Sequence, residues 1–344
     1  MKIAFVSGGN GHLGFHLVQE LLSAGYRVKA SVRDLNSQLK ISKLIQLKKS
    51  YSELEIVQME LNHRESIKKA VQGTHVLYHV AAPNKIWAKN PEQEIFEPIF
   101  QGTQNVIEEA IQCNEGKLEK IIFTSSCSNL GFKATTKTKT RDLDETDWNE
   151  NLHADLFKAK FQAEKWAIEY TGKKNMPFVS LCIPLLIGGN FDRTPPGMRT
   201  LQDAYQKGIF AIPSGEWHVV DVRDAAIIHR LAWNHENAKG RYVVSGNRVN
   251  SCQLAEAVKR ALPEKKLKIL LLPNFVLDIA CFLDWLIHGL TKKERNLTRA
   301  FLKDFKNIEQ RLSGEKLKKE FPEFRFRSLE QTLSDLFSWF RTQK

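Results

Sequence analysis

Three glycines near the N-terminus, Gly8, Gly11 and Gly14, stand at a spacing suited to one task, the binding of a pyrophosphate. They lie in the stretch Val6-Ser7-Gly8-Gly9-Asn10-Gly11-His12-Leu13-Gly14. The first glycine permits a tight turn, and the second lets backbone N–H groups approach phosphate oxygens. The third lets a helix pack close on a strand. Such a motif needs a strand before it and a helix after it. Ile3-Ala4-Phe5-Val6 is an apolar run of strand length, and Leu13, Leu17, Val18, Leu21 and Leu22 recur at helical spacing up to Ala24-Gly25. The helix would turn the positive end of its dipole toward the phosphates. A dinucleotide is the expected ligand.

The next strand spans Arg27 to Arg33, with Val28, Ala30 and Val32 on one face. Its C-terminal end is where dinucleotide-binding folds read the adenosine ribose: an acid there suits the 2′-hydroxyl of NAD, an arginine the 2′-phosphate of NADP. Arg33 favours NADP, and the adjacent Asp34 is the residue an NAD reading would use. Further strands are expected at 54–61, 76–83, 120–128 and 177–183, with helices at 64–72, 91–113 and 154–170, the second interrupted by Pro98 and Gly102. This alternation predicts an α/β fold, a doubly wound parallel sheet of the Rossmann type. Strand 76–83 runs into Ala81 and Ala82, small enough for the backbone to lie against a ribose. Strand 120–128 ends in hydroxyls.

The dinucleotide-binding domain is expected at 1–184 and 219–246, and a smaller, mostly helical substrate domain at 185–218 and 247–344. The Gly/Pro-rich stretch 188–197 would be a crossing between them, and the polar stretch Lys133 to Arg141 an exposed loop.

The net charge is +12 and the isoelectric point about 9.4, yet the basic residues occur in small groups without interleaved aromatics. That pattern reads as solvated surface, not as a nucleic-acid groove. Cys113, Cys127, Cys182, Cys252 and Cys281 are odd in number and widely spaced. They predict reduced thiols in a cytoplasmic protein, with no disulfide, zinc or other metal framework. The N-terminus has no signal peptide pattern. Residues 269–290 are the longest apolar stretch, interrupted by Pro273, Asn274, Asp278, Asp284 and His288. Charges at mid-bilayer are costly, so no integral membrane segment is expected. The stretch reads as a buried helix lining an apolar pocket. Peripheral membrane contact, with Lys292-Lys293 at its edge, is the alternative. Oligomeric state is not readable.

Several motifs carry a resemblance. They are Ser-Gly-Gly-Asn-Gly-His-Leu-Gly at 7–14, Ser-Val-Arg-Asp at 31–34, His-Val-Ala-Ala-Pro at 79–83 and Gly-Thr-Gln-Asn-Val at 102–106. Phe-Thr-Ser-Ser at 123–126, Asp-Glu-Thr-Asp-Trp at 144–148 and Val-Asp-Val-Arg-Asp at 220–224 follow in order. Together they resemble the extended short-chain dehydrogenase/reductases of the NAD(P)-dependent epimerase/dehydratase family, dihydroflavonol reductase-like and 3β-hydroxysteroid dehydrogenase-like members in particular, as far as about residue 245.

The resemblance implies a serine that holds the substrate oxygen, a tyrosine that exchanges the proton, and a lysine that binds ribose and lowers the tyrosine pKa. Ser126 matches the serine. Lys160 matches the lysine, within Lys-Phe-Gln-Ala-Glu at 160–164. Four residues before Lys160, where the tyrosine would stand, is Leu156. The implied cofactor contacts are Gly8, Asn10, Gly11, His12, Leu13, Gly14, Arg33, Glu60, Leu61, Ala81, Ala82, Ser125, Lys160 and Pro184.

Other donors are few. Tyr170 and Lys174 have the right spacing but close a helix, where Gly172 is expected to break the turn. Phe157 has no hydroxyl, and Asp155 points elsewhere. His153 would share the face of Leu156 and Lys160 if the helix began early enough. His79 reads as an interior histidine, Tyr205 as packing, and Trp217 and His218 as candidates for the substrate pocket. Two functions remain in view. One is an NADP-dependent oxidoreductase acting on a carbonyl or alcohol of a small, apolar substrate; the other is an NADP-binding protein with little turnover. An epimerase using the cofactor differently has no specific support in the residues.

Overall fold

The short apolar runs are too brief to bury themselves, and each finds its partners in the next. In a computed structural model, which describes residues 2–132, 141–191, 194–306 and 308–343, seven of them form one parallel sheet. The first half of the chain alternates strand and helix: β1 (Ile3–Val6), α1 (His12–Ser23), β2 (Arg27–Val32), α2 (Gln38–Ser50), β3 (Leu54–Gln58), α3 (Arg64–Val71), β4 (Val76–His79), α4 (Glu97–Cys113), β5 (Lys120–Ser126), α5 (Asp155–Lys173) and β6 (Phe178–Ile183). The second half holds β7 (Leu185–Ile187), α6 (Arg199–Lys207), β8 (Ile209–Pro213), β9 (Glu216–Asp221), α7 (Val222–Asn234), β10 (Gly240–Val243), β11 (Asn247–Asn250) and α8 (Ser251–Ala261). It ends with β12 (Lys268–Leu272), α9 (Asn274–Thr291), α10 (Arg299–Phe305), α11 (Glu315–Glu320) and α12 (Leu329–Thr342).

The sheet order is β10-β6-β5-β4-β1-β2-β3. From β1 the chain winds outward through β2 and β3, then returns to the other side of β1 with β4. That reversal opens a crevice at the carboxyl ends of β1 and β4, the usual ligand position in such sheets. Helices cover both faces. Leu17, Leu21, Val28 and Tyr242 pack on one side, and Phe5, Ile67, Leu77 and Val106 on the other. Lys120, buried at the start of β5, donates to the carbonyls of Ala232, Trp233 and His235 at 3.3, 3.4 and 2.8 Å. A cation thus satisfies the carbonyls at the end of α7, with the sign the helix dipole favours.

Helices predominate beyond β6, and β11-β9-β7 and β12-β8 add two small sheets there. Several expectations need correction. Residues 91–113 are not broken at Pro98 or Gly102. A π-helical turn at Glu92–Phe96 leads into α4, and Pro98 sits in its first turn, where the missing N–H costs nothing. Gly172 does not break α5, which continues to Lys173.

The largest departure is at 269–290. This stretch divides into β12 and α9, and only Leu277 and Cys281 of α9 are buried. Most of α9 is exposed, so the stretch is not a buried helix. Composition alone cannot say what lies opposite an apolar residue, and here the body of the protein covers only a narrow stripe of the helix. The Lys133–Arg141 loop lies outside the described residues except for Arg141.

Candidate active site

The glycine turn is held so tightly that side chains are excluded from it. Gly8 has φ +68°. A Cβ on it would sit 3.1 Å from Ala81 Cα, and one on Gly14 would fall 2.1 Å from the Gly8 carbonyl oxygen. The latter distance is impossible for a real side chain, so the start of α1 packs on the turn only as glycine. Ser31 of β2 fixes the turn from the side: its Oγ accepts from Gly8 N at 3.1 Å and its carbonyl from Gly9 N at 2.8 Å. Gly11 caps α1 without a side chain, and no acid stands in the first turn. Nothing in the helix competes with an anion for its first N–H groups. Leu13 is buried, whereas His12 turns its ring to the Gly188 carbonyl at 3.1 Å, leaving only its backbone to face a phosphate. Asn10 Nδ2 donates to the Lys40 carbonyl at 3.1 Å and ties the turn to α2.

The crevice between β1 and β4 is clamped by Ser7 and His79. Ser7 Oγ accepts from Val80 N and Ala81 N at 2.8 and 2.9 Å, so its own hydrogen is directed to His79 Nδ1 at 3.1 Å. His79 then donates from Nε2 to Thr103 Oγ1 at 3.1 Å. It is a satisfied interior histidine, as expected, and its burial pushes its pKa down to about 4. The clamp leaves Ala81 and the exposed Ala82 at the mouth of the crevice.

Arg33 follows β2 directly, is exposed, and makes no described ion pair. Asp34 is turned to its own loop, where Oδ1 accepts from Asn36 N at 2.9 Å. Glu60 and Leu61 stand beyond β3 at the same edge of the sheet. Glu60 exchanges backbone bonds with Ser66 Oγ, and Leu61 lies against Gly102 with its carbonyl held by Asn105 Nδ2 at 3.0 Å. Pro184 directly follows β6. These groups fit a dinucleotide on the observations of excluded Cβ atoms, an uncapped helix start and an unpaired arginine.

The hydroxyl end of β5 lies beside α5. Ser126 Oγ accepts from Ser128 Oγ at 2.8 Å and from Ser128 N at 3.2 Å. Ser125 Oγ accepts from Asn129 Nδ2 at 3.2 Å, and the same amide reaches the Lys160 carbonyl at 3.3 Å and Glu164 Oε2 at 2.8 Å. Glu164 is wholly buried; its Oε1 takes Ser180 Oγ at 2.5 Å and Arg241 Nε at 3.0 Å. Arg241 in turn donates to the carbonyls of Glu145 and Asp147 and lies 3.7 Å over the Trp148 ring. One buried ion pair therefore joins α5, β10 and the 144–148 segment to the serines. Nothing in the local sequence pattern identified Arg241 as its partner.

Lys160 is partly buried with no described partner for its ammonium, and desolvation lowers its pKa to about 8. Leu156 lies one turn earlier on α5, 3% exposed, in a cluster that includes Phe157. Because α5 starts at Asp155, His153 lies outside the helix and does not share that face. Its Nδ1 is instead 2.9 Å from Asp304 Oδ1. Asp304 of α10 also accepts from His153 N and Ala154 N at 3.0 and 2.8 Å. A carboxylate from the C-terminal region thus caps the helix that carries Leu156 and Lys160, where Ala154 has no capping group.

The remaining candidates are structural. Asp155 is exposed, and Phe157 stacks on Phe301 at 5.7 Å. Tyr170 stacks on Trp166, and Tyr205 on Phe340. Trp217 Nε1 donates to Ser251 Oγ at 3.0 Å. His218 bonds the Ser245 carbonyl and accepts from Leu312 N, so its ring ties loops together. A separate cleft of about 390 Å³, lined by His16, Glu20, Arg223, Asp335 and Trp339 among others, includes none of the expected site residues.

Histidines at the site carry a pH prediction. His229 bonds the Ala225 carbonyl through Nδ1 and Thr124 Oγ1 through Nε2, and its pKa, like that of His79, is about 4 by burial. The unfolded value is 6.5. Between these values the unfolded chain binds more protons, so stability is complete above pH 6.5 and is lost as pH falls toward 4. At pH 5 each histidine costs about 2 kcal/mol. Urea unfolding at pH 7 and pH 5 measures this, and equal stabilities with no proton uptake on unfolding would contradict it.

Comparison with known proteins agrees with this geometry. The model of the 3-beta hydroxysteroid dehydrogenase/isomerase family matches residues 5–231. Dihydroflavonol 4-reductase of Solanum lycopersicum is 32% identical over 270 residues, covering 76% of this chain and 69% of that protein. Cinnamoyl-CoA reductase CAD2 of Medicago truncatula is 26% identical over 274 residues, covering 77% and 82%. Gre2 of Candida albicans, solved in complex with NADPH, shares the fold with a TM-score of 0.78 at 20% identity over 99% of both chains. The glycine turn, the switch point between β1 and β4, the hydroxyl end of β5 and Lys160 of α5 all fall within the matched span, and the chain belongs to the 3-beta hydroxysteroid dehydrogenase/isomerase family.

Proposed function

We propose that this protein is an NADP-dependent oxidoreductase acting on a carbonyl or alcohol of a small, apolar substrate, with an active site that lacks the usual tyrosine. The observation that carries the reading is a glycine turn closed to side chains at an uncapped helix start, in a chain that also holds Ser126 at the end of β5 and Lys160 one turn after a buried Leu156 on α5. The relatives point the same way, being a dihydroflavonol 4-reductase and a cinnamoyl-CoA reductase by name. In this reading the dinucleotide-binding part comprises 1–184 and 219–246, and 185–218 with 247–344 shape the substrate pocket. Five free cysteines fit a cytoplasmic setting.

NADPH, when bound, supplies the hydride. The chain's own residues do the rest. Backbone N–H groups at the start of α1 hold the pyrophosphate, over a glycine turn whose own Gly8, Gly9 and Gly11 N–H groups are paired within the fold, and Ala81, Ala82, Ser125 and Pro184 border the ribose and nicotinamide. Glu60 and Leu61 border the adenine edge, and Arg33 takes the 2′-phosphate, with Asp34 already engaged by Asn36 N. Lys160 binds the ribose hydroxyls. Ser126 Oγ, oriented by the Ser128 hydroxyl that donates to it at 2.8 Å, holds the substrate oxygen, and a water supplies the proton that Leu156 cannot give. The second reading, cofactor binding with little turnover, is favoured by that same leucine.

The test is loss of nicotinamide absorbance with NADPH and a panel of carbonyl compounds. Tight NADPH binding with no turnover on any of them overturns the oxidoreductase reading in favour of the second. Removal of one phosphate contact costs about 1.5–3 kcal/mol for a charged hydrogen bond. Arg33→Ala is therefore expected to weaken NADPH by roughly ten- to a hundred-fold and NADH little. Equal losses for both cofactors would count against NADP selectivity.

A further inference from the structure

Helix α9 carries an apolar surface that the rest of the described chain leaves open. Phe275, Ile279, Phe282, Leu283, Leu286 and Leu290 are all exposed, Phe275 at 65% and Leu290 at 77%. At 3.6 residues per turn they fall on one side of the helix. The opposite stripe, Leu277 and Cys281, packs on Leu302 of α10. A contiguous exposed face of this kind marks an interaction surface.

The charges around it are arranged for an anionic partner. Asp284 is turned away from the open face, toward Arg295 Nε at 3.1 Å and the N–H groups of Asn296 and Leu297. Asp278, at the rim, is paired with Lys306. Exposed cations stand at the C-terminal end of the helix, Lys292 and Lys293, with Arg299 and Lys303 on α10. Glu294 is the exposed acid among them. The whole chain carries +12. The open face of an 18-residue helix measures about 27 Å by 10 Å. Two copies meeting on this face would bring their cationic rims together, and these would repel. A bilayer needs no shape complementarity.

We propose that α9 lies flat in the interface of an anionic membrane, with its apolar face among the acyl chains and the lysines at the headgroups. The helix is long and apolar enough to span a bilayer by composition, but its packed stripe keeps it along the protein surface. Trp87, in the segment after β4, contacts His288 at 4.6 Å, so the docked helix adjoins a loop leading from the candidate crevice. The inference concerns attachment and is independent of the proposed chemistry.

The test is flotation of the full-length protein with phosphatidylcholine vesicles, with and without phosphatidylserine. Binding is expected with phosphatidylserine and is expected to fall with salt. Ile279→Ser/Phe282→Ser/Leu286→Ser alters only exposed positions and is expected to bind at least about 10²-fold more weakly, with an unchanged melting temperature. Lys292→Glu/Lys293→Glu is expected to lose roughly ten-fold or more. Trp285 borders this face, 55% exposed and in ring contact with Phe282 at 5.7 Å, so lipids brominated on the acyl chains are expected to quench a component of tryptophan fluorescence that is absent in Trp285→Phe. Failure of the wild type to float with phosphatidylserine vesicles overturns the proposal. So does a lipid-free dimer that the triple variant converts to monomer, since a second copy would then cover the face.

Discussion

Leu156→Tyr is expected to raise carbonyl reduction by roughly 10²–10⁴-fold, the usual contribution of a positioned acid or base. The new phenol would stand one turn before Lys160 on α5, facing the same way. An ammonium at that distance favours the phenolate and lowers the phenol pKa toward working pH. Leu156 is 3% exposed, so the added volume costs about 1–3 kcal/mol in stability. Rate and melting temperature should therefore move in opposite directions. Leu156→Phe, with nearly the same bulk and no hydroxyl, is the control and is expected to show only the loss of stability. Steady-state assays on all three proteins decide the matter. If tyrosine gives no gain while NADPH still binds, the site is organised around a different chemistry.

The second large effect concerns the buried pair Glu164–Arg241. Arg241→Met is expected to cost about 3–5 kcal/mol, because it leaves a carboxylate without a counter-charge in the interior. Glu164 is 0% and Arg241 6% exposed at their side chains, and the pair is 3.0 Å apart. The melting temperature should fall on the order of 5–10 °C. Adding Glu164→Gln removes the stranded charge and should restore much of the loss, since a neutral amide still meets Asn129 and Ser180. Chemical denaturation of the two single variants and the double variant gives the coupling directly. A double variant no more stable than Arg241→Met would show that the arginine acts through its contacts with Glu145, Asp147 and Trp148 instead. The pair also bears on the site, because Glu164 orients Asn129 and Asn129 holds Ser125 and the backbone at Lys160.

The parts of the site that were legible in the sequence are those built from neighbouring residues. The turn at Gly8–Gly14 joins a strand and a helix within a dozen positions, and its steric demands act on those glycines alone. Arg33 could be placed because strand alternation locates the end of β2. The spacing of Leu156 and Lys160 became a spatial statement once α5 was legible as a helix. His79 could be read as interior, but its partners Ser7 and Thr103 lie 72 and 24 positions away and left no local trace. Asp304, which caps α5 from 150 positions downstream of Ala154, was invisible for the same reason.

Local spacing thus determined the Rossmann-type alternation, the dinucleotide turn and the placing of Leu156 one turn before Lys160. Periodicity and glycine conformation act over a few residues, and the sequence carries them in full. Tertiary structure decided what depends on chain reversals: which carboxylate caps α5, which arginine neutralises Glu164, and that His153 and His218 serve as ties. It also decided the fate of 269–290. An apolar helix is the same string of residues whether a core or a bilayer faces it, and only the packing of α10 along one stripe left the remaining face of α9 open.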